Sequence, residues 1–311
     1  MAARSSRVLV TGATGFLGSH VSRRLEGEGC DTLCISRRPP QRPDGAAHVL
    51  WVQCDLLDRA QIDAVIGRIQ PARVFHLAGS SRDRGLAGAA SAFDANVVAT
   101  ANLLLAVARH CPDARVVTAG TLECSNPWTD VPQFHTAYGA AKVAAEMIAR
   151  HLREHHALDV VSARIGMTYG PADPNDTRLV PYVIRSLLQR TPPRLSHCNR
   201  REDWIYIDDV VDALLRIGGA PAPLPPTLDV GHGRAVTARD VVETICDCLG
   251  TDVAPVYGVL PDRPGDAFAA DIADTTSLLD WRPQVELRDG IARTVRWHLQ
   301  QAAALSKAAA N

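Results

Sequence analysis

A short stretch near the start of the chain, VLVTGATGFLGSH at residues 8–20, constrains the possible folds more than any other part of the sequence. Its apolar first residues are typical of a buried strand, and the apolar residues after it follow helical spacing. Glycine recurs at every third position between the two segments. These glycines are Gly12, Gly15 and Gly18. The stretch therefore predicts a strand, a glycine turn and a helix, in that order.

Each glycine has a physical use if the turn binds a dinucleotide. Gly12 permits a tight turn, Gly15 lets a pyrophosphate approach the main chain, and Gly18 lets the helix pack closely on the strand. The free N–H groups at the helix N-terminus then face the anion. The alternative is a tight strand-to-helix turn that binds nothing, and this motif alone leaves both interpretations open.

Composition excludes several other classes of protein. The chain has 311 residues, 46% of them hydrophobic and 22% charged, and a formal net charge of −1. Without a basic stripe, nucleic acid is a poor candidate partner. Uninterrupted apolar runs stay well below the ~18 residues of a membrane span, and the N-terminus leaves no room for a signal peptide. A cytoplasmic protein with no membrane or nucleic-acid partner is expected.

Cysteine and histidine spacing argues against a disulfide frame or a metal site. The eight cysteines are scattered without a CxxC pair, as in reduced cytosolic proteins. His151 and His155 lie four apart and could share one helical face, a spacing that can hold a metal. No further ligand at matching spacing supports such a site, so a solvated helix face is the preferred interpretation and no metal is expected.

The chain alternates strand-like and helix-like segments from its start to about residue 165. Repeated strand–helix units with nearly continuous apolar strands predict an α/β fold with a doubly wound parallel Rossmann sheet. Later segments are richer in proline and in irregular loops. We expect a dinucleotide-binding domain over residues 1–164, which also receives segments near 203–231, and a smaller mixed α/β domain over 165–311 that binds the substrate.

The stretch AYGAAKVAAE contains the strongest local signal for chemistry. Tyr138 and Lys142 are four apart, so on a helix they share one face. A phenol has an ordinary pKa of about 10, and a nearby cation favours its charged form. Lys142 can therefore prepare Tyr138 for proton exchange with a hydroxyl or carbonyl oxygen. An incidental surface pair is the alternative, which the preceding glycine turn disfavours.

A hydroxyl group just past a buried strand can help to hold the reacting oxygen. The segment RVVTAGTLE places Thr118 and Thr121 there. A hydroxyl in this place can hydrogen-bond the oxygen and hold it against Tyr138. Threonine is also an ordinary turn residue. Thr121 is the preferred candidate and Thr118 the second.

Together these motifs resemble the extended short-chain dehydrogenases/reductases, and in particular the NAD(P)-dependent epimerase/dehydratase group that acts on nucleotide sugars. The resemblance rests on TGATGFLG, HLAG, Asn96, Tyr138 with Lys142, REDWIYIDDVVDAL and RPGD, in this order. It extends over roughly residues 7 to 300. It implies that Tyr138 is the acid/base group and that Lys142 also holds the nicotinamide ribose.

The resemblance further implies a set of binding residues. Those assigned to the dinucleotide are Gly12, Thr14, Gly15, Phe16, Leu17, Gly18, Asp55, Leu56, Ala78, Gly79, Ser80, Tyr138 and Lys142. Those assigned to the substrate, or lying in segments that bind its diphosphate, are Glu123, Met167, Arg201, Asp203, Trp204 and Arg263.

The second strand lacks the acidic residue that would hold the ribose hydroxyls of NAD. Ser36 stands at that place and is followed by Arg37 and Arg38. A hydroxyl and two guanidinium groups suit the 2′-phosphate of NADP, which a carboxylate would repel. NADPH is therefore the expected cofactor, with NAD possible; a solvated basic loop is the alternative for the two arginines.

Three departures from the family pattern bear on the reaction. The family's 4,6-dehydratases carry an Asp-Glu pair after the reacting threonine, whereas Leu122 precedes Glu123 here. Leucine cannot donate a proton, which disfavours dehydration. Met167 replaces an asparagine that would hydrogen-bond the substrate, and Arg201 stands one residue from its usual place. The last two changes suggest a divergent substrate.

The hypothesis from the sequence is an NADPH-dependent reduction of a nucleotide-linked 4-keto-6-deoxyhexose. The alternatives are an NAD-dependent nucleotide-sugar 4-epimerase and a non-catalytic dinucleotide-binding sensor. Two Ala- and Val-rich helices, near residues 97–110 and 139–155, predict a homodimer formed through a four-helix bundle.

Overall fold

The structure is a computed structural model that describes residues 7–40, 49–81, 86–123, 136–221, 223–262 and 269–310. Ten strands are assigned within this part of the chain. In chain order they are β1 Val8–Thr11, β2 Thr32–Ser36, β3 Val49–Gln53, β4 Arg73–His76, β5 Arg115–Thr121, β6 Val160–Ile165, β7 Met167–Tyr169, β8 Arg201–Tyr206, β9 Thr227–Val230 and β10 Ala235–Thr237.

Ten α-helices are assigned in the same residues. They are α1 Phe16–Gly27, α2 Arg59–Ile69, α3 Ala89–Phe93, α4 Ala99–His110, α5 Ala137–His156, α6 Leu179–Leu188, α7 Ile207–Gly219, α8 Ala238–Leu249, α9 Ala273–Leu279 and α10 Leu287–Ala310. A short 3₁₀ turn over Leu86–Gly88 precedes α3, and a π-helical segment, Asp94–Val98, joins α3 to α4.

The chain forms two compact units. Unit 1 comprises Met1–Ile165, Val211–Val230 and Ala273–Trp281, and unit 2 comprises Gly166–Val210, Gly231–Ile272 and Arg282–Asn311. The contacts within each unit do not test the predicted roles of the two domains, which stay predictions. The segment 273–281 belongs to unit 1, although the sequence analysis did not list it among the later segments that the first domain receives.

A seven-stranded parallel sheet forms the centre of unit 1, in the order β3-β2-β1-β4-β5-β6-β9. Its central strands are buried over most of their length, as their apolar sequences predict for a sheet covered on both faces. The strand order reverses between β1 and β4, the place where doubly wound folds bind ligands. The predicted Rossmann sheet is thus confirmed.

One side of this sheet is packed by α2, α4 and α5. Their apolar residues join those of the strands in a single core cluster, which includes Ile62, Ile66, Leu103, Leu104, Val107, Ala149 and Leu152. The sequence patterns explain the packing, because each helix presents its apolar residues at the i, i+3 and i+4 positions that share one face.

Unit 2 is mixed, as predicted. Its three-stranded sheet has the order β10-β8-β7, with β10 antiparallel and β7 parallel to β8. Helix α8 packs against both α6 and α10. A capping box at Thr237 and Asp240 begins α8, and Gly250 ends it in the left-handed conformation, the two usual signals for helix ends.

The helical stretch Leu86–His110 is long and apolar enough, by those two measures alone, to cross a membrane. The sequence had predicted no such segment. This is weak evidence for a membrane span, because core helices pass the same test. Leu103, Leu104 and Val107 lie in the core of unit 1.

Candidate functional site

The glycine turn lies at the carboxyl end of β1 and has the geometry that its sequence predicts. Gly12 has a φ of +69°, in the left-handed region, and a Cβ there would lie 2.6 Å from the backbone nitrogen of Ala78. A Cβ on Gly18 would lie 2.2 Å from the carbonyl oxygen of Gly12. Both positions therefore require glycine, one for the turn and the other for close packing of α1.

The turn fits the pyrophosphate of a dinucleotide. A Cβ on Gly15 would meet only the carbonyl oxygen of Gly12, at 3.2 Å, so the backbone there is open to a ligand. Gly15 is also the N-cap of α1 and provides no side-chain acceptor. The first N–H groups of the helix are thus available to an anion. Phe16 and Leu17 begin this helix, and Thr14 is exposed in the turn.

The other predicted dinucleotide residues lie beyond the ends of neighbouring strands. Thr11 on β1 pairs with Ile35 on β2, so Ser36 ends β2 beside the glycine turn. Its Oγ accepts the N–H of Arg38 at 3.2 Å, and the side chains of Arg37 and Arg38 are exposed. No carboxylate residue ends β2.

Further along the same edge, Asp55 and Leu56 follow β3, and Ala78, Gly79 and Ser80 follow β4. The carbonyl oxygens of Leu56 and Ser80 accept N–H groups from Asn102 and Asn96 respectively. The structure therefore brings the predicted cofactor residues of unit 1 to one edge of its sheet.

A buried histidine, which the sequence analysis did not select, connects this edge to α4. Nδ1 of His76 lies 2.8 Å from Oγ1 of Thr11, and Nε2 lies 2.9 Å from Oγ1 of Thr100. The Thr100 hydroxyl donates to the carbonyl of Asn96, so it accepts a hydrogen bond from His76. The proton of the ring is thereby assigned to Nε2, and the Thr11 hydroxyl donates to Nδ1.

Burial and the charge of Lys142 together lower the pKa of His76 to about 3. The imidazole is therefore neutral at physiological pH, as the assigned hydrogen bonds require. Oγ1 of Thr11 also accepts the N–H of Ala78. This chain of hydrogen bonds fixes the glycine turn to the end of β4.

Tyr138 and Lys142 both lie near the start of α5. The side chain of Thr136 accepts the N–H of Gly139 and caps the helix, so Tyr138 belongs to the first turn. The positive end of the helix dipole favours an anion in this turn. Nζ of Lys142 lies 5.9 Å from the centre of the Tyr138 ring. The predicted pair is therefore close in space.

The Lys142 ammonium donates to the carbonyl of Ala119 on β5, at 2.9 Å. Part of the side chain is accessible, but the ammonium lies among protein atoms, and this burial lowers the pKa of Lys142 to about 8. A Cβ on Gly79 would lie 3.3 Å from Nζ. Lys142 thus reaches the end of the sheet where the dinucleotide residues lie, and its pKa is well below that of an ordinary lysine.

The two candidate threonines on β5 have different surroundings. Thr118 is buried, and its hydroxyl is hydrogen-bonded to that of Ser162 on β6 at 2.9 Å. Thr121 ends the strand, is partly exposed, and accepts the N–H of Glu123 with Oγ1. This difference favours Thr121 as the hydroxyl that contacts a ligand. Leu122 and Glu123 follow it and are also partly exposed.

The predicted substrate residues of unit 2 are spread along its small sheet. Met167 on β7 pairs with Trp204 on β8, which is buried. Arg201 begins β8 and is exposed, with one guanidinium nitrogen bonded to the carbonyl of Ala235. Arg263 lies outside the described residues.

The carboxylate of Asp203 makes hydrogen bonds within unit 2. It accepts N–H groups from His232, Gly233 and Ala270, at 2.6 to 2.9 Å. These bonds satisfy a buried carboxylate and hold the turn after β9 together with the segment that precedes α9. The contacts indicate a structural use for this residue.

Among the described residues, no group of three or more histidine, cysteine or acidic side chains could hold a metal ion. His151 and His155 are exposed on α5, with their ring centres 4.9 Å apart.

Residues 8–231 match the NAD dependent epimerase/dehydratase family. The UDP-glucose 4-epimerase of Mycolicibacterium smegmatis is 30% identical over 313 residues, which cover 94% of this chain and 98% of that protein. A probable dTDP-glucose 4,6-dehydratase of Sinorhizobium fredii is 29% identical and covers 94% and 93%. The structure of MoeE5 in complex with UDP-glucose and NAD has a TM-score of 0.84 and 26% identity, covering 95% of this chain and 99% of that one. Proteins similar to this chain thus differ in the reaction that their names give.

Proposed function

The chain belongs to the NAD-dependent epimerase/dehydratase family, and from this premise we propose that it reduces a nucleotide-linked 4-keto-6-deoxyhexose with NADPH. The observation that carries the enzymatic part is the ammonium of Lys142, 5.9 Å from the centre of the Tyr138 ring, at the edge formed by the glycine turn. A protein that only sensed a dinucleotide would not need Tyr138 as a proton donor with an ammonium beside it.

The residues of this chain would manage the proton. As the carbonyl carbon is reduced, the Tyr138 hydroxyl gives its proton to the oxygen, which becomes a hydroxyl group. Lys142 and the N-terminus of α5 stabilise the phenolate that is left. The Thr121 hydroxyl orients the carbonyl oxygen. When bound, the dinucleotide supplies the hydride.

Two features support reduction with NADPH in preference to dehydration. Ser36 and the exposed guanidinium groups of Arg37 and Arg38 follow β2, where a carboxylate would repel a 2′-phosphate. Leu122 follows Thr121, and its side chain can neither give nor take the proton that elimination of water requires. Glu123, Met167, Arg201, Trp204 and Arg263 are proposed to contact the sugar nucleotide, by the family resemblance alone.

A 4-epimerase with bound NAD is the second candidate. It is favoured by the 30% identity to a UDP-glucose 4-epimerase. The two reactions use the same Tyr138 and Lys142, but only the reductase consumes its cofactor. Mass spectrometry of the dinucleotide that co-purifies with the protein would separate them: tightly held NAD would favour the epimerase.

The test of the proposal is NADPH oxidation with a dTDP- or UDP-linked 4-keto-6-deoxyhexose, compared between the wild type and Tyr138→Phe. Loss of the proton donor should lower kcat at least about 100-fold, the usual contribution of a general acid. Binding of NADPH, measured by its fluorescence, should change little. Unchanged turnover in Tyr138→Phe would contradict the assignment, and binding of NADPH without any turnover would favour the sensor.

A homodimer formed through α4 and α5 is part of the proposal. Large apolar side chains are exposed on these helices and on the segment before α4: Phe93, Val98, Leu105 and Met147. Exposed apolar side chains often mark interfaces between copies when they form one patch. Sedimentation velocity over a range of concentrations tests this, and a monomer throughout would contradict it. A cytoplasmic location is proposed on the cysteine usage alone.

A further inference from the structure

A buried ion pair lies on the same side of α5 as the proposed proton-transfer groups. Arg164 on β6 donates from Nε to Oε2 of Glu146 at 3.0 Å and from Nη2 to Oε1 at 2.5 Å. The side chains are only 17% and 7% exposed. Glu146 stands four residues after Lys142 and eight after Tyr138, which places all three on one face of the helix.

Gly120 leaves the space through which Arg164 reaches α5. Gly120 on β5 pairs with Arg164 on β6. A Cβ at Gly120 would lie 3.1 Å from the carbonyl oxygen of Ala163 and 3.4 Å from Cγ of Arg164. The aliphatic part of the Arg164 side chain therefore lies against β5 between Ala119 and Thr121. The carbonyl of Ala119 is the one that accepts the hydrogen bond from Lys142. The ion pair therefore links β6 to α5 at the point where Gly120 of β5 lies beside Arg164.

We propose that Arg164 and Glu146 are positioning residues that hold Lys142 against β5, and that Arg164 neutralises the carboxylate of Glu146, so that this carboxylate does not change how readily Lys142 binds a proton. A carboxylate one helical turn from an ammonium favours its charged form unless another cation occupies the carboxylate. The inference concerns catalysis only insofar as Tyr138 and Lys142 carry out the proposed proton transfer.

Within the part of the chain that the structure describes, the other groups around Lys142 do not replace this neutralisation. His76 on β4 is neutral near pH 7, because burial and Lys142 lower its pKa to about 3. Asn96, beside Gly79, carries no charge, and β5 contributes the carbonyl of Ala119. Tyr138 lies on the same helix as Lys142. The charges in these surroundings that can change the pKa of Lys142 are thus those of Glu146 and Arg164.

The amino-acid composition makes the test direct. The chain has only two lysines, Lys142 and Lys307. In the full-length protein labelled with ¹³C-lysine, NMR should show two Cε signals, and Lys307→Gln assigns them. A pH titration without substrate or dinucleotide then measures the pKa of Lys142 in the wild type and in each variant.

The variants form a charge cycle. Arg164→Met exposes Lys142 to the unpaired Glu146 carboxylate and should raise the pKa of Lys142 by about one unit or more. Glu146→Gln removes the carboxylate that neutralises the Arg164 cation and should lower the pKa of Lys142. The double variant removes both charges and should return it to within about half a unit of the wild type. Arg150→Met, which breaks an exposed pair with Glu154 on the same helix, should leave it unchanged.

Equal Lys142 pKa values in the wild type and both single variants would overturn the inference, as would an equal shift in the Arg150→Met control. If Arg164→Met does not fold by circular dichroism, Glu146→Gln and the double variant decide between the same outcomes. A protein whose Lys142 signal follows this cycle but which reduces no keto sugar would contradict the proposed function alone. An active reductase without the cycle would contradict the inference alone.

Discussion

Two buried cations, one at each end of the sheet in unit 1, differ in their hydrogen bonding. At the amino end, Arg115 donates to the Asp159 carboxylate at 2.6 Å and to the carbonyls of Ile217 and Ala220 at 3.0 and 3.1 Å. At the carboxyl end, Lys142 donates to a single carbonyl, that of Ala119. The guanidinium is thus paired and extensively hydrogen-bonded, whereas burial lowers the pKa of the ammonium to about 8.

A second buried polar group at the carboxyl end is also incompletely hydrogen-bonded. Oδ1 of Asn96 is buried and lacks a hydrogen-bond partner among the described residues, although its amide nitrogen donates to the carbonyls of Ser80 and Ala92. Asn96 lies in the π-helical segment, a deviation that often occurs at functional sites. The comparison indicates that Arg115 at the amino end stabilises the fold, while Lys142 and Asn96 at the carboxyl end are retained at a cost in stability, as binding sites require.

The largest expected effect is that of Lys142→Met. Without the ammonium, turnover should fall about 100-fold or more, because the N-terminus of α5 alone stabilises the Tyr138 phenolate much less than a neighbouring cation does. The same variant should be more stable than the wild type by about 1 kcal/mol at pH 7, because it no longer buries a charge. Steady-state kinetics and urea unfolding measure the two effects. A variant that is both inactive and less stable would contradict the comparison.

The stability gain of Lys142→Met should depend on pH. The pKa of Lys142 is lowered from its ordinary value of 10.5 to about 8 in the folded protein. Between these values the unfolded chain binds more protons, so this group makes the wild type more stable as the pH rises. The advantage of the variant should therefore be complete below about pH 8 and shrink above it.

Arg115→Met should break the opposite end of the sheet. It removes the donor from the carbonyls of Ile217 and Ala220 and leaves the Asp159 carboxylate with the more distant Arg153, at 3.5 Å. The free energy of unfolding should therefore fall by about 2 kcal/mol. Turnover per folded molecule should stay within about twofold of the wild type. Arg109→Met is the matched control, because Arg109 pairs with Asp63 at the exposed surface, where such pairs contribute less than about 1 kcal/mol. Equal losses in the two variants would contradict the proposed importance of the buried network.

The sequence predicted those parts of the site that depend on local spacing. The turn at Gly12 and Gly15 and the pair Tyr138 and Lys142 each lie within a few residues of one another, so their periodicity already indicates the geometry. The comparison with the family also placed Ser36 at the end of the second strand. These features need only the order of the elements.

The sequence did not predict the contacts that depend on register between elements. His76 reaches Thr11 and Thr100, which lie 65 and 24 residues away. Arg164 reaches Glu146 only because it pairs with Gly120 across two strands. Asn96 was noted as a family residue, but its buried oxygen follows from the π-helical segment. The arginine within the largely apolar strand VVSARI is the sequence signal that could have suggested a buried ion pair.

Ser36→Asp tests the preference for NADPH over NADH at the carboxyl end of the sheet. Its effect should be smaller than those of the variants above. The new carboxylate at the end of β2 should repel a 2′-phosphate and weaken binding of NADPH about tenfold, with little loss for NADH. Ser36→Ala keeps the charge unchanged and serves as the control. Binding of both dinucleotides can be measured by their fluorescence. Wild-type protein that binds NADH at least as tightly as NADPH would contradict the proposed cofactor.

The last prediction concerns the pH dependence of the wild type itself, which has no effect at all below about pH 8. In the reductase, the ammonium of Lys142 must be present when Tyr138 gives up its proton. Since the pKa of Lys142 is about 8, kcat/KM should be constant below that pH and decrease about tenfold per unit above it. In Lys142→Arg the side chain stays charged throughout this range, so whatever activity remains should not decrease near pH 8. A decrease at the same pH in both proteins would assign it to another group, and the incomplete bonding of Lys142 would then have no part in the pH dependence.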